Sequence, residues 1–170
     1  MFRALTLAGA LLAAASGAMQ LRSGDFSAGA RLPRTLMAGE CGGDNRSPEL
    51  AWSGAPRGTK SFALIMHDPD APIPGGFYHW VVYNLPAGTQ SLPAAVRLPE
   101  SELGVTSAEK AGYYGPCPPA GPAHHYVVTL YALDLARVAS RAPLDGPQLQ
   151  RAIAGHVLER ASLQGTASRP

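Results

Sequence analysis

The sequence predicts a mainly β domain, an antiparallel β-sandwich with one helix late in the chain. Three observations lead there. Residues 62–66, 79–85 and 125–133 are dense in apolar, β-branched and aromatic side chains, and the first two stop at Asp68-Pro69 and Pro86. The 170 residues include 19 glycines and 16 prolines, short of the roughly 25–30% of low-complexity chains but high for a helical bundle. Past the first residues, helical periodicity occurs once, near the end. With 46% hydrophobic and 15% charged residues the chain has the profile of one globular domain.

Residues 1–18 read as an export segment. Arg3 precedes a run from Ala4 to Ala15 that is apolar but for Thr6, and the small residues Ser16, Gly17 and Ala18 follow. The run is well short of the ~20 residues that span a bilayer. A signal peptide is therefore expected, cut near Met19 or after Ala15, leaving a domain over residues 19–170. The location that follows is periplasmic or secreted, with at most peripheral membrane contact.

From Met19 to Leu50 the chain is broken by Gly24, Gly29, Pro33, Gly39, Gly42, Gly43 and Pro48, so only short strands joined by turns fit there. The continuous apolar run Phe62-Ala63-Leu64-Ile65-Met66 has the pattern of a strand buried on both faces, stopped at Asp68-Pro69. The segment from His79 to Leu85 is a second strand, and that from His125 to Leu133 is the longest and most β-prone. Between them, residues 87–122 hold six prolines and many small residues, the composition of a long surface excursion. Asp145 can cap a helix, Pro147 suits its first turn, and Gln148 completes a capping-box pattern. Leu149, Ile153, His156 and Val157 would share its apolar face, with Gly155 packed closely on a sheet.

A formal net charge of +2 without any run of Lys or Arg leaves no footprint for a phosphate backbone, so nucleic acid is not expected as a partner. Two cysteines are too few for a disulfide scaffold. The residues that could carry chemistry lie at strand ends: Asp68 and Asp70 after the first strand, His79 opening the second, His124 and His125 opening the third. If those strands are neighbours, these polar ends converge. Two prolines stiffen Asp68-Pro69-Asp70-Ala71-Pro72, and the loop from Gly115 through Pro116, Cys117, Pro118 and Pro119 to Gly121 has glycines that allow close backbone approach to a ligand.

These residues resemble the two signature regions of the phosphatidylethanolamine-binding protein family, also called Raf kinase inhibitor-like proteins, in its bacterial branch. The matching segments are Asp68-Pro69-Asp70-Ala71-Pro72, His79-Trp80, Tyr114-Gly115-Pro116-Cys117-Pro118-Pro119, Gly121, His124 and Tyr126, with Ser47-Pro48-Glu49-Leu50-Ala51-Trp52 and Gly155-His156-Val157-Leu158 fitting earlier and later segments. The resemblance implies a Greek-key β-sandwich with a small anion-binding pocket, no cofactor and no established catalytic activity. It carries to that pocket Asp68, Asp70, His79, Tyr114, Gly115, Pro116, Gly121 and His124. It also implies a partner of the kinase or protease type. The family commonly has His-Arg-Tyr where this chain has His124-His125-Tyr126, so a titratable imidazole replaces a fixed positive charge.

Two nearby carboxylates repel a bare phosphate, which favours a zwitterion such as phosphoethanolamine. Its ammonium would face Asp68 or Asp70, and its phosphate would take hydrogen bonds from His79, His124 and the glycine-loop amides. The same side chains are suited to a metal site, although no helix-spaced His pair or Cys-x-x-Cys is present. They would also suit an Asp/His hydrolase with His79 or His124 as base, for which Cys117 is the nucleophile of interest. Cys41 and Cys117 either pair, tying the early loop to the glycine-proline loop, or stay apart; the sequence leaves both open.

Overall fold

The computed structural model describes residues 17–169; the export segment expected over residues 1–18 lies outside them except for Gly17 and Ala18. Among the described residues, seven strands and one α-helix follow in the order β1 (Gln20–Arg22), β2 (Leu50–Ser53), β3 (Ser61–Asp68), β4 (Phe77–Pro86), β5 (Ser91–Leu92), β6 (His124–Leu133), α1 (Gly146–Ile153) and β7 (Val157–Ala167). They form two antiparallel sheets, a small one ordered β1-β2-β5 and a large one ordered β4-β3-β6-β7. The fold is mainly β, as the composition and the three apolar segments predict.

The central strand β3 shows why its sequence reads as a continuous apolar run. Residues alternate between faces along a strand. Phe62, Leu64 and Met66 turn toward the small sheet, sharing a core with Leu50, Trp52, Trp80 and Leu130. Ala63 and Ile65 point the other way, into a second core with Val81, Tyr83 and the helix residues Leu149 and Ile153. The large sheet is thus sandwiched between the small sheet and α1, so both faces of β3 are apolar.

The late helix forms with its expected start: the Asp145 side chain accepts from the Gln148 amide, and the Gln148 side chain accepts from the Asp145 amide. It ends sooner than expected. The helix stops at Ile153, and Val157 opens an 11-residue strand that pairs with β6 from Leu133↔Val157 to His124↔Ala167. Local signal there is weak because the inward positions of β7 are Ala161, Leu163, Gly165 and Ala167, mostly too small to register as an apolar alternation. Without β7 the long edge of β6 would lose its backbone partners, so pairing across the sheet overrides propensity. Gly155 lies in the turn between helix and strand, where a Cβ would meet nothing, so its expected close packing on a sheet is not what the structure shows.

Candidate functional site at the ends of the central strands

Because β4 and β6 flank β3 in antiparallel register, the C-terminal end of β3 meets the N-terminal ends of both neighbours. Asp68, His79 and His124 are thereby brought together, all buried. They line a cleft of about 250 Å³ with Tyr114, Tyr126, Phe77, Ile73, Glu40 and the Cys117-Pro118-Pro119 segment.

Each imidazole has one nitrogen committed. His79 Nδ1 lies 2.7 Å from the Tyr114 carbonyl oxygen. A carbonyl only accepts, so Nδ1 carries the proton and Nε2 is the free nitrogen. Burial pulls the His79 pKa from 6.5 down to about 4, outweighing the Tyr114 carbonyl and the Asp68 charge, which act in the opposite direction. At neutral pH His79 therefore offers Nε2 as an acceptor. His124 Nδ1 lies 2.8 Å from Asp68 Oδ2, and the Asp70 amide donates to Asp68 Oδ1 at 2.9 Å. Both Asp68 oxygens are engaged in holding the site, and His124 is left with Nε2 free. The Tyr126 hydroxyl is buried beside Asp68, and burial and then the Asp68 charge push its pKa up.

The other candidates sit further out. Asp70 Oδ2 accepts from the His125 amide at 2.8 Å and lies 2.7 Å from His125 Nδ1, so this carboxylate is turned to the chain beside the cleft. The two His125 hydrogen bonds hold its pKa below the usual carboxylate value. Gly115, Pro116 and Gly121 do not line the cleft. Gly115 instead packs against residues 36–38, where a Cβ would lie 2.4 Å from the Leu36 oxygen, and its amide donates to Asn45 Oδ1 at 2.7 Å. The Pro116 oxygen accepts from the Ala38 amide at 2.9 Å. The close backbone approach provided by Gly115 is therefore to another loop.

Residues 36–41 are joined to this loop covalently as well, through a disulfide between Cys41 and Cys117. The bond removes Cys117 as a nucleophile, and no Ser or Thr is among the residues lining the cleft. One residue before Cys41, the Glu40 carboxylate accepts the Tyr114 hydroxyl proton at the mouth of the cleft. That bond lowers the Glu40 pKa and raises that of Tyr114. Lys110 Nζ stands 5.3 Å from the centre of the Tyr114 ring. Among the described residues no three His, Cys, Asp or Glu side chains are grouped to hold a metal ion.

Glu40 and Phe77 were not legible as site residues. Phe77 had a signal, since it stands two positions before His79 on one strand and so shares its face. Glu40 had none short of knowing that its neighbour is bonded to Cys117.

Residues 22–168 match the family described as "Phosphatidylethanolamine-binding protein". The chain is 40% identical over 153 residues to the UPF0098 protein YbhB of Escherichia coli, covering 85% of this chain and 97% of that one. It is 38% identical over 135 residues to the UPF0098 protein YbcL of the same organism, covering 74% of each. The crystal structure of E. coli YbcL, described as a new member of the mammalian PEBP family, superposes with a TM-score of 0.85 at 31% identity, covering 91% of this chain and all of that one. A homologue from Chlamydia trachomatis, CT736, superposes with a TM-score of 0.81 at 36% identity, covering 90% and 99%.

Proposed function

As the chain belongs to the phosphatidylethanolamine-binding protein family, we propose that its cleft binds a small phosphate-bearing zwitterion of the phosphoethanolamine type, without turnover. The observation that carries this reading is the pair of imidazoles with Nδ1 committed and Nε2 free, in a cleft with an acidic, aromatic mouth. The neutral His79 accepts, so it suits the P–OH of a monoprotonated phosphate. His124, its Nδ1 turned to Asp68, presents Nε2 to the phosphate. The ammonium then goes to Glu40 and the ring faces of Phe77 and Tyr114, where cation–π attraction adds to charge. Asp70 is assigned to the support of residues 124–125. A volume of about 250 Å³ falls below the ~300–1,000 Å³ of typical ligand pockets, which fits a headgroup better than a whole lipid.

The reading extends to an exported protein, periplasmic or secreted, because a disulfide suits an oxidising compartment. Any role as a modulator of a kinase or protease would be exerted from there, through surfaces outside the cleft. The test is calorimetric titration of the full chain with phosphoethanolamine beside His124→Ala and Asp68→Asn. Losing one charge-assisted hydrogen bond is expected to weaken binding by about ten- to a hundredfold. Absence of binding to the intact protein, or equal binding to the variants, would overturn the reading.

The Asp68–His124 pair also has the form of a carboxylate-oriented general base, which favours a second reading, hydrolysis with water as the nucleophile. Inorganic phosphate released from phosphoethanolamine, and lost with His124→Ala, would establish that reading over simple binding.

A further inference from the structure

A second cleft, of about 230 Å³, shares the Cys41–Cys117 bridge with the first: Cys41 lines it, as Cys117 lines the other. Its chemistry is the opposite. Three arginines, Arg31, Arg34 and Arg169, stand around an apolar floor that includes Leu32 and Met37, and no Asp or Glu is among its lining residues. Two chain segments, residues 31–34 and the end of the chain at Arg169, carry the three guanidinium groups. The Leu32 amide donates to the Thr166 oxygen at 2.8 Å and the Thr166 amide to the Ala30 oxygen at 2.9 Å, which straps residues 30–32 to the end of β7 beside Arg169. The turn at Gly39–Cys41 then curls the chain back over Arg34.

None of the three makes an ion pair among the described residues. Their acceptors are carbonyls: Arg31 Nη2 donates to the Ser168 oxygen at 3.2 Å, and Arg34 Nε donates to the Gly42 oxygen. Gly42 has φ +73°, and a Cβ there would lie 3.0 Å from Arg34 Nη2, so this glycine lets the guanidinium lie against the backbone. Two of the three forks are thus oriented by one bond each, and among the described residues their remaining N–H donors have no other partner. Like charges gathered in a concave site repel one another, and a bound anion relieves that repulsion.

We propose that this cleft is a second binding site, selective for a phosphate group that carries no cation. The first cleft has Glu40 and Asp68 and suits a zwitterion, whereas among the described residues lining the arginine cleft there is no Asp or Glu side chain to meet an ammonium. The phosphate could belong to a free phosphomonoester or to an anionic lipid headgroup, which share this chemistry. The inference is independent of what the first cleft binds.

The test follows backbone amide signals of the full-length chain by NMR during titration with inorganic phosphate, against chloride at equal ionic strength. Saturable shifts are expected around Arg31, Gly42 and Ser168, and they should persist in His124→Ala. Arg31→Gln combined with Arg169→Gln should weaken the interaction at least tenfold. Both side chains are exposed, and Arg169→Gln alone, expected to weaken binding severalfold, serves as a milder variant. Shifts that vanish in His124→Ala, survive both arginine variants, or are matched by chloride would overturn the proposal. Sedimentation with phosphatidylglycerol but not phosphatidylcholine vesicles, lost in the arginine variants, would assign the phosphate to a lipid; phosphate binding without vesicle binding would assign it to a soluble monoester.

Discussion

At His79 a single side chain sets both chemistry and pH response. An unfolded histidine takes up a proton below about pH 6.5, whereas folded His79 does so only near pH 4. Between those values the unfolded state binds the extra proton, so stability falls as pH drops from 6.5 toward 4 and this contribution levels off below. The loss amounts to up to about 3 kcal/mol. Urea midpoints at pH 7, 5.5 and 4 should show it, and His79→Gln should flatten that part of the profile. The lowered pKa of Asp70 acts at more acid pH: its contribution is present above the unfolded value and is lost as pH falls through the folded one. Glu40 is testable by ligand choice. Removing its charge with Glu40→Gln should weaken phosphoethanolamine severalfold and leave or improve inorganic phosphate at the same cleft, as measured by calorimetry. Asp68 and His124 were legible as site residues because polar groups at the ends of apolar strands have no packing role. Asp70 is as polar, but only its contact with His125 turns it away from the cleft.

Among the elements, the segment from Tyr113 to Pro119 organises the cleft by leaning on residues 36–41. Tyr114 faces the cleft, while the Tyr113 hydroxyl donates to the Leu36 oxygen at 2.9 Å and its ring meets Trp80 edge-on. Gly115 lies where a methyl group would strike the Leu36 and Met37 backbone. Gly115→Ala is therefore expected to destabilise by about 1–3 kcal/mol through overpacking and to weaken headgroup binding. Chemical denaturation and calorimetry would show both, and an unchanged midpoint would rule out the close contact. The helix start was readable from Asp145, Pro147 and Gln148 because a cap is a local interaction. Strand β7 was not, because Ala161, Gly165 and Ala167 become inward residues only once β6 lies beside them.

For the molecule as a whole, one covalent tie spans 76 residues between Cys41 and Cys117 and joins the walls of both clefts. Closing a loop of that length in the unfolded chain is worth about 4 kcal/mol to the folded state. Cys41→Ser/Cys117→Ser should lower the thermal midpoint accordingly, and reductant should reproduce the drop in the parent chain. Phosphoethanolamine affinity should fall with it, since Glu40 precedes Cys41 directly. By itself the sequence determined the β class, the three main strands, the start of the helix and the family, because these rest on periodicity, caps and motifs carried by neighbouring residues. The tertiary structure alone decided which carboxylate faces the cleft, that Glu40 closes its mouth, that β7 is a strand, and that three arginines meet. Each of these depends on contacts between residues far apart in the chain, and such contacts leave no local pattern to read.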